Sequence, residues 1–149
     1  MRHDSRLSRM LHALVHLDAH DGPATSETIA AMLETNPVVV RRTMAGLREA
    51  GYVQSGKGHG GGWSLARPLD EITLLDIHRA LGNPPVFAIG TTSEHAACLV
   101  ERAVNAALGD ALRDAEALLL ERFGNVTLAD LAGSIRPQLR AAQHARTGR

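Results

Sequence analysis

The sequence predicts a mainly α chain built as a winged helix-turn-helix, with a small β-hairpin wing and a long C-terminal dimerisation helix. Three observations predict it. Between Pro37 and Ala50 the apolar residues Val40, Met44 and Leu47 recur on one helical stripe, with Arg41, Arg42, Arg48 and Glu49 off it. From Tyr52 to Leu65 the pattern changes to short strands broken by Gly56, Gly58, Gly60, Gly61 and Gly62. From Ser93 or Glu94 to Phe123 runs a helical signal of about thirty residues, roughly 45 Å long and more than a small domain needs for itself.

Helix one is expected from about Ser5 to Ala19, with Leu7, Met10, Leu11, Leu14 and Val15 on its core face. His12, His16 and His20 form a stripe on the opposite side. Imidazoles one turn apart can share a metal ion, but no carboxylate or cysteine completes a tetrahedron, so the stripe reads as an ordinary polar face and no metal is expected. Asp21, Gly22 and Pro23 make the following turn. The second helix starts at Thr25 or Ser26, runs through Ile29, Ala30 and Leu33, and ends before Thr35. Glu34 to Asn36 remain for the turn, the length a helix-turn-helix requires. Asn36 is a good N-cap, Pro37 suits the first helical position, and Gly51 marks the stop.

Pro37 to Ala50 is therefore the candidate recognition helix, whose N-terminal residues come nearest the base edges in a major groove. The candidate DNA-contacting residues are Val38, Val39, Arg41, Arg42 and Arg48 on this helix. Thr25 and Ser26 join them from the start of the second helix, and Lys57 and His59 from the wing tip. Arginine can donate two hydrogen bonds to guanine, and a valine can contact a thymine methyl. Trp63 and Leu65 alternate with Ser64 and are expected to anchor the wing to the core.

Gly56 to Gly82, GKGHGGGWSLARPLDEITLLDIHRALG, resembles the signature of the Rrf2 family of bacterial transcription regulators, in which a GG-aromatic-x-LAR wing leads into an ITL-x-DI helix. The likeness extends to LVHLDAH in helix one and to FGNVTLADL, Phe123 to Leu131. It implies a homodimeric DNA-binding regulator of the bacterial cytoplasm, more often a repressor, acting on a palindromic operator in double-stranded DNA. In iron–sulfur members the position matching Lys57 reaches the minor groove. Positions matching Val38, Val39 and Arg41 face bases there and carry serine, tyrosine and glutamate. The residues present here imply a different operator sequence.

After the wing, a helix carrying Ile72, Leu75, Ile77 and Leu81 is stopped by Gly82, and Val86 to Thr92 read as a loop. On the long helix, Ala97, Val100, Val104, Leu108, Ala111, Ala115, Leu118 and Leu119 form an apolar seam suited to a partner helix. Gly124 and Asn125 end it, and Thr127 with Asp130 form a capping box for a short last helix to Ile135. Beyond Pro137 the tail, with Arg140, Arg146 and Arg149, is expected to fray. Residues 1–82 thus form the DNA-binding domain, 83–136 the sensor loop with the long and closing helices, and 137–149 a flexible basic tail.

Cys98 is the only cysteine, which excludes an intramolecular disulfide and suits a reducing cytosol. A lone cysteine near a helix N-terminus can be an inert small residue or a reactive thiol. By resemblance, iron–sulfur members carry three cysteines here, of which Cys98 matches the last, and some place a histidine ligand where Glu101 stands. The other two cysteines are absent, so no iron–sulfur cluster and no other cofactor is expected. The resemblance then implies a thiol redox sensor at Cys98.

Charge bounds the alternatives. Residues 1–69 carry 8 Lys and Arg against 6 Asp and Glu, residues 70–135 carry 4 against 10, and residues 136–149 carry 4 against 0, giving a net charge of +0 overall. The acid lies away from the DNA-reading part, which is only mildly basic, so salt-dependent binding through few phosphate contacts is expected. A winged-helix protein-interaction module without DNA binding is the alternative. An enzyme pairing Cys98 with His95 at i and i+3 would lack an oxyanion site and an orienting group, so no catalytic residue is assigned. No apolar run reaches membrane-spanning length and MRHDSRLSRM is not a signal peptide, so no membrane partner is expected.

Overall fold

The computed structural model describes residues 3–95 and 97–147, with the side chains of residues 143, 146 and 147 left aside. Helix α1 (Arg6–Ala19) is followed by α2 (Ser26–Met32), α3 (Pro37–Glu49), the strands β1 (Val53–Gly56) and β2 (Gly62–Leu65), α4 (Leu74–Ala80), α5 (Leu99–Gly124) and α6 (Leu128–Thr147). The winged helix-turn-helix and the long C-terminal helix are both present.

The turn between α2 and α3 closes by local chemistry. Thr35 donates its N–H to Ala30 O at 3.0 Å while Glu34 takes a left-handed φ of 52°. Asn36 then caps α3 by accepting the Val39 N–H at 3.0 Å, with Pro37 at the first helical position. At the far end Gly51, with φ 87°, lets Tyr52 N–H return to Leu47 O at 2.9 Å.

Val53 pairs with Leu65 and Gly56 with Gly62 across the hairpin. A third edge comes from Ala24, which exchanges both backbone hydrogen bonds with Trp63 at 2.8 and 2.9 Å. Gly62 is required at this junction. A Cβ there would lie 2.8 Å from Ala24 O, and its φ is 141°.

The core is shared by α1 to α4, β1 and the start of α6. Leu14, Ile29, Val40, Met44, Leu47, Ile72, Ile77 and Leu128 are its largest fully buried side chains. Each contributes roughly 1.5–3 kcal/mol by leaving water. On α1 the buried set is Met10, Ala13, Leu14, Val15, Leu17 and Ala19, whereas Leu7 and Leu11 are only half-buried. Ile72 precedes α4 rather than lying on it, and its O accepts from Leu128 N–H at 2.8 Å in a short antiparallel bridge. Capping boxes flank that bridge, Thr73 with Asp76 and Thr127 with Asp130.

The expected helix starting at Ser93 or Glu94 is corrected, since α5 starts at Leu99 and Ala97 lies before it. Glu101 reaches back to accept the His95 N–H at 3.1 Å, and Cys98 N–H turns onto His95 O at 2.8 Å. These bonds satisfy the preceding backbone outside a helix. The expected last helix to Ile135 is corrected too, because α6 continues through Pro137 to Thr147. Packing outweighs the proline there: Arg136 pairs with Asp18 of α1 at 2.8 Å, and Leu139 packs against the core. Arg140 is thus helical, the Arg146 side chain is left aside, and Arg149 lies outside the described residues.

Candidate nucleic-acid interface

Burial of Val40, Thr43, Met44 and Leu47 fixes the rotation of α3 and turns Val38, Arg41, Arg42 and Arg48 to the surface. Val38 is 61% exposed. Val39 is half-buried on the flank and offers less of itself outward.

A chain of contacts joins α3 to α2 and the wing. Arg41 donates to Glu27 Oε1 at 2.9 Å. Next to Glu27, Ser26 Oγ accepts the Trp63 indole N–H at 3.0 Å. Trp63 in turn lies 5.6 Å beneath the Arg48 guanidinium, which also reaches Ser55 Oγ at 3.4 Å. The two helices and the hairpin therefore hold one orientation, and Trp63 and Leu65 anchor the wing to the core. Thr25 caps α2 by accepting the Thr28 N–H at 3.1 Å, so the Thr25 and Ser26 hydroxyls have structural partners in the free protein. Lys57 and His59 stand exposed at the wing tip. Glu27 has no sequence signal of its own, since its contact with Arg41 spans the turn.

The polar stripe of α1 carries a contact rather than a ligand cluster. His12 and His16 approach with Nε2 atoms 3.0 Å apart, and His20 Nδ1 meets Gly22 O at 2.9 Å. Burial, with His12 beside it, holds the His16 pKa below its ordinary value. Among the described residues no group of three or more His, Cys, Asp or Glu is placed to hold a metal ion.

Cys98 is exposed and stands at the N-cap of α5, not within the helix. His95 lies in the turn before it, with Nδ1 3.4 Å from Glu101 Oε2, so residues 95 and 98 do not share a helix. With one thiol in the chain, this donor set does not fit an iron–sulfur cluster.

The exposed face of α5 carries Val100, Val104, Leu108 and Leu118, with Val100 71% and Leu118 66% exposed. No residue of α5 is buried. Among the described residues no helix is long and apolar enough to cross a membrane.

A profile of the Rrf2 family, described as an iron-dependent transcriptional regulator, matches residues 3–134. A Bacillus subtilis (strain 168) protein named as an HTH-type transcriptional regulator, YwnA, is 29% identical over 128 residues, covering 86% of this chain and 95% of that protein. Among solved structures, T. potens IscR superposes with a TM-score of 0.68 at 22% identity, over 90% of this chain and 88% of that one. The B. subtilis global cysteine regulator CymR superposes with a TM-score of 0.61 at 24% identity, over 90% of this chain and 98% of that one. These two likenesses carry the fold.

Proposed function

The chain belongs to the Rrf2 family of transcriptional regulators, and on that premise we propose that it is a homodimeric, sequence-specific repressor acting in the cytoplasm on a palindromic operator. The observation that carries the reading is the exposure of Val38, Arg41 and Arg42 on α3 and of Lys57 and His59 on the wing, with α2, α3 and the hairpin joined through Glu27, Ser26, Trp63 and Arg48. In this reading α3 enters the major groove, where Arg42 and Arg41 seek guanine edges and Val38 a thymine methyl. Lys57 and His59 follow the backbone or the adjacent minor groove, and Val39, Arg48, Thr25 and Ser26 border the contact.

The partner in the dimer is a second copy, seated along Val100, Val104, Leu108 and Leu118. Two-fold symmetry then sets two recognition helices against a symmetric site. Cys98 serves as the redox input. Its thiolate attacks a peroxide, the S–O bond forms as the O–O bond breaks, and hydroxide leaves, giving a sulfenic acid. The new group at the N-cap of α5 moves the preceding loop and alters the spacing of the recognition helices.

Selection from a random duplex pool across a salt series, with reduced and peroxide-treated protein in parallel, tests each part. Enrichment of an inverted repeat, lost on oxidation and retained by Cys98→Ser, is expected. Selective binding indifferent to peroxide removes the sensor and keeps the regulator. Absence of selectivity in every sample favours a protein-interaction module.

A further inference from the structure

A cavity of about 210 Å³ opens between α1, α4, α5 and the loop following α4. Its walls are apolar, with Leu81, Pro84, Val86, Leu119 and Phe123 among them. Two polar side chains, Asp4 and His78, belong to the lining. His78 is 4% exposed, yet among the described residues its ring nitrogens make no hydrogen bond. Its ring meets Phe123 edge-on with centroids 6.1 Å apart. A ring nitrogen at the cavity wall that has no protein partner can pair with water or with a ligand bearing one hydrogen-bonding group.

We propose that this cavity binds a neutral single-ring aromatic molecule bearing one hydroxyl group, hydrogen-bonded to His78. Size, shape and charge set that class. A cavity of about 150 Å³ with aliphatic and aromatic walls accepts benzene, so the space here suits one ring with a small substituent. The Phe123 ring supplies an aromatic contact. No Lys or Arg lines the cavity to neutralise an anion. Asp4 at the rim is ion-paired with Arg6 at 2.7 Å, so that guanidinium is already matched by a carboxylate.

Occupancy would couple to the regulator. The walls join α1 and α4, which pack in the winged-helix core, to α5, so a bound ring props one against the other and biases the separation of two recognition helices. Binding itself stands apart from the proposed function, whereas the coupling rests on it.

The full chain is titrated with p-cresol, with toluene as the same ring lacking the hydroxyl and benzoate as the anion, reading amide NMR shifts and the melting temperature. Saturable p-cresol binding is expected, with shifts centred on Leu81, Val86 and Leu119. Toluene should bind roughly 3- to 10-fold more weakly, the range of one net hydrogen bond, and benzoate more weakly still. His78→Leu should erase the difference between p-cresol and toluene. Val86→Trp, in the loop outside the core, should block all binding while the fold persists.

Absence of saturation up to the solubility limit, shifts centred elsewhere, or p-cresol binding untouched by Val86→Trp overturns the site. A change of roughly 5-fold or more in operator affinity on saturation is expected; an unchanged affinity overturns the coupling. Failure of p-cresol to bind a protein that still selects DNA sinks the cavity alone. Saturable binding by a protein without DNA selectivity sinks the proposed function alone.

Discussion

The winged helix-turn-helix and α5 spend their apolar residues in opposite ways. Within α1 to α4, Leu14, Ile29, Met44, Leu47 and Ile77 are fully buried, and the fold closes on itself. Along 26 residues α5 buries none and leaves Val100, Val104, Leu108 and Leu118 at the surface. The first region owes its stability to its own chain. The second carries an exposed apolar stripe, the surface on which the proposed dimer rests.

Substitutions on the two sides of this contrast should therefore fail differently. Leu14→Ala removes a fully buried side chain from the centre of α1. A loss of about 3 kcal/mol in unfolding free energy is expected, equal at every protein concentration. Urea melts at two concentrations a hundredfold apart check this, and a concentration-dependent loss would place Leu14 at an interface instead.

Leu108→Asp should leave the isolated winged helix folded and act on assembly. The expected result is a monomer in sedimentation velocity, with affinity for a symmetric site lowered by about 100-fold or more through loss of the second half-site contact. Affinity for a single half-site should hardly change. A dimer that survives Leu108→Asp and Leu118→Asp together would remove α5 as the dimer seam.

Gly62→Ala tests how the wing is held to the winged-helix core. The added Cβ meets Ala24 O at 2.8 Å with the backbone already at φ 141°, and strain of this type costs roughly 1–3 kcal/mol. The melting temperature should fall and hydrogen exchange at Trp63 N–H should quicken, since that amide bonds Ala24 O at 2.8 Å. An unchanged Trp63 exchange rate would mean that the Ala24 edge contributes nothing to holding the wing.

Local chemistry makes much of this fold legible in the sequence. Asn36 with Pro37, Gly51, the wing glycines and the Thr127–Asp130 box each act within a few residues, and each is found in its expected role. Where long-range packing or a side chain reaching backwards decides, the sequence pattern misleads. Pro37 starts a helix but Pro137 does not end one, because Arg136 and Leu139 hold α6 to α1 and the core on either side of it. Glu101 falls within the helix expected from Ser93 or Glu94, yet α5 starts only at Leu99 and the Glu101 carboxylate accepts the His95 N–H from the turn before it. In the candidate interface the residue types are visible from the sequence. The Glu27–Arg41 pair and the Ser26–Trp63 link are not, since they join residues 14 and 37 positions apart.

That hidden pair supplies the smallest and most specific test. Arg41 is held by Glu27 at 2.9 Å with both side chains more than half exposed, so the pair is worth roughly 0–1 kcal/mol to folding. Glu27→Gln should leave the melting temperature nearly unchanged. Its effect should fall on DNA, because Arg41 must leave or share its carboxylate to meet a base or phosphate. With glutamine the competing charge is gone, and one acidic group near the phosphates is removed. Affinity should rise by a few fold, within the energy of one exposed ion pair, and most at low salt, where unscreened charges act furthest. If the gain is equal for specific and random duplexes, Arg41 contacts phosphate. A gain confined to the selected site assigns Arg41 to a base edge, with Glu27 setting how readily it is released.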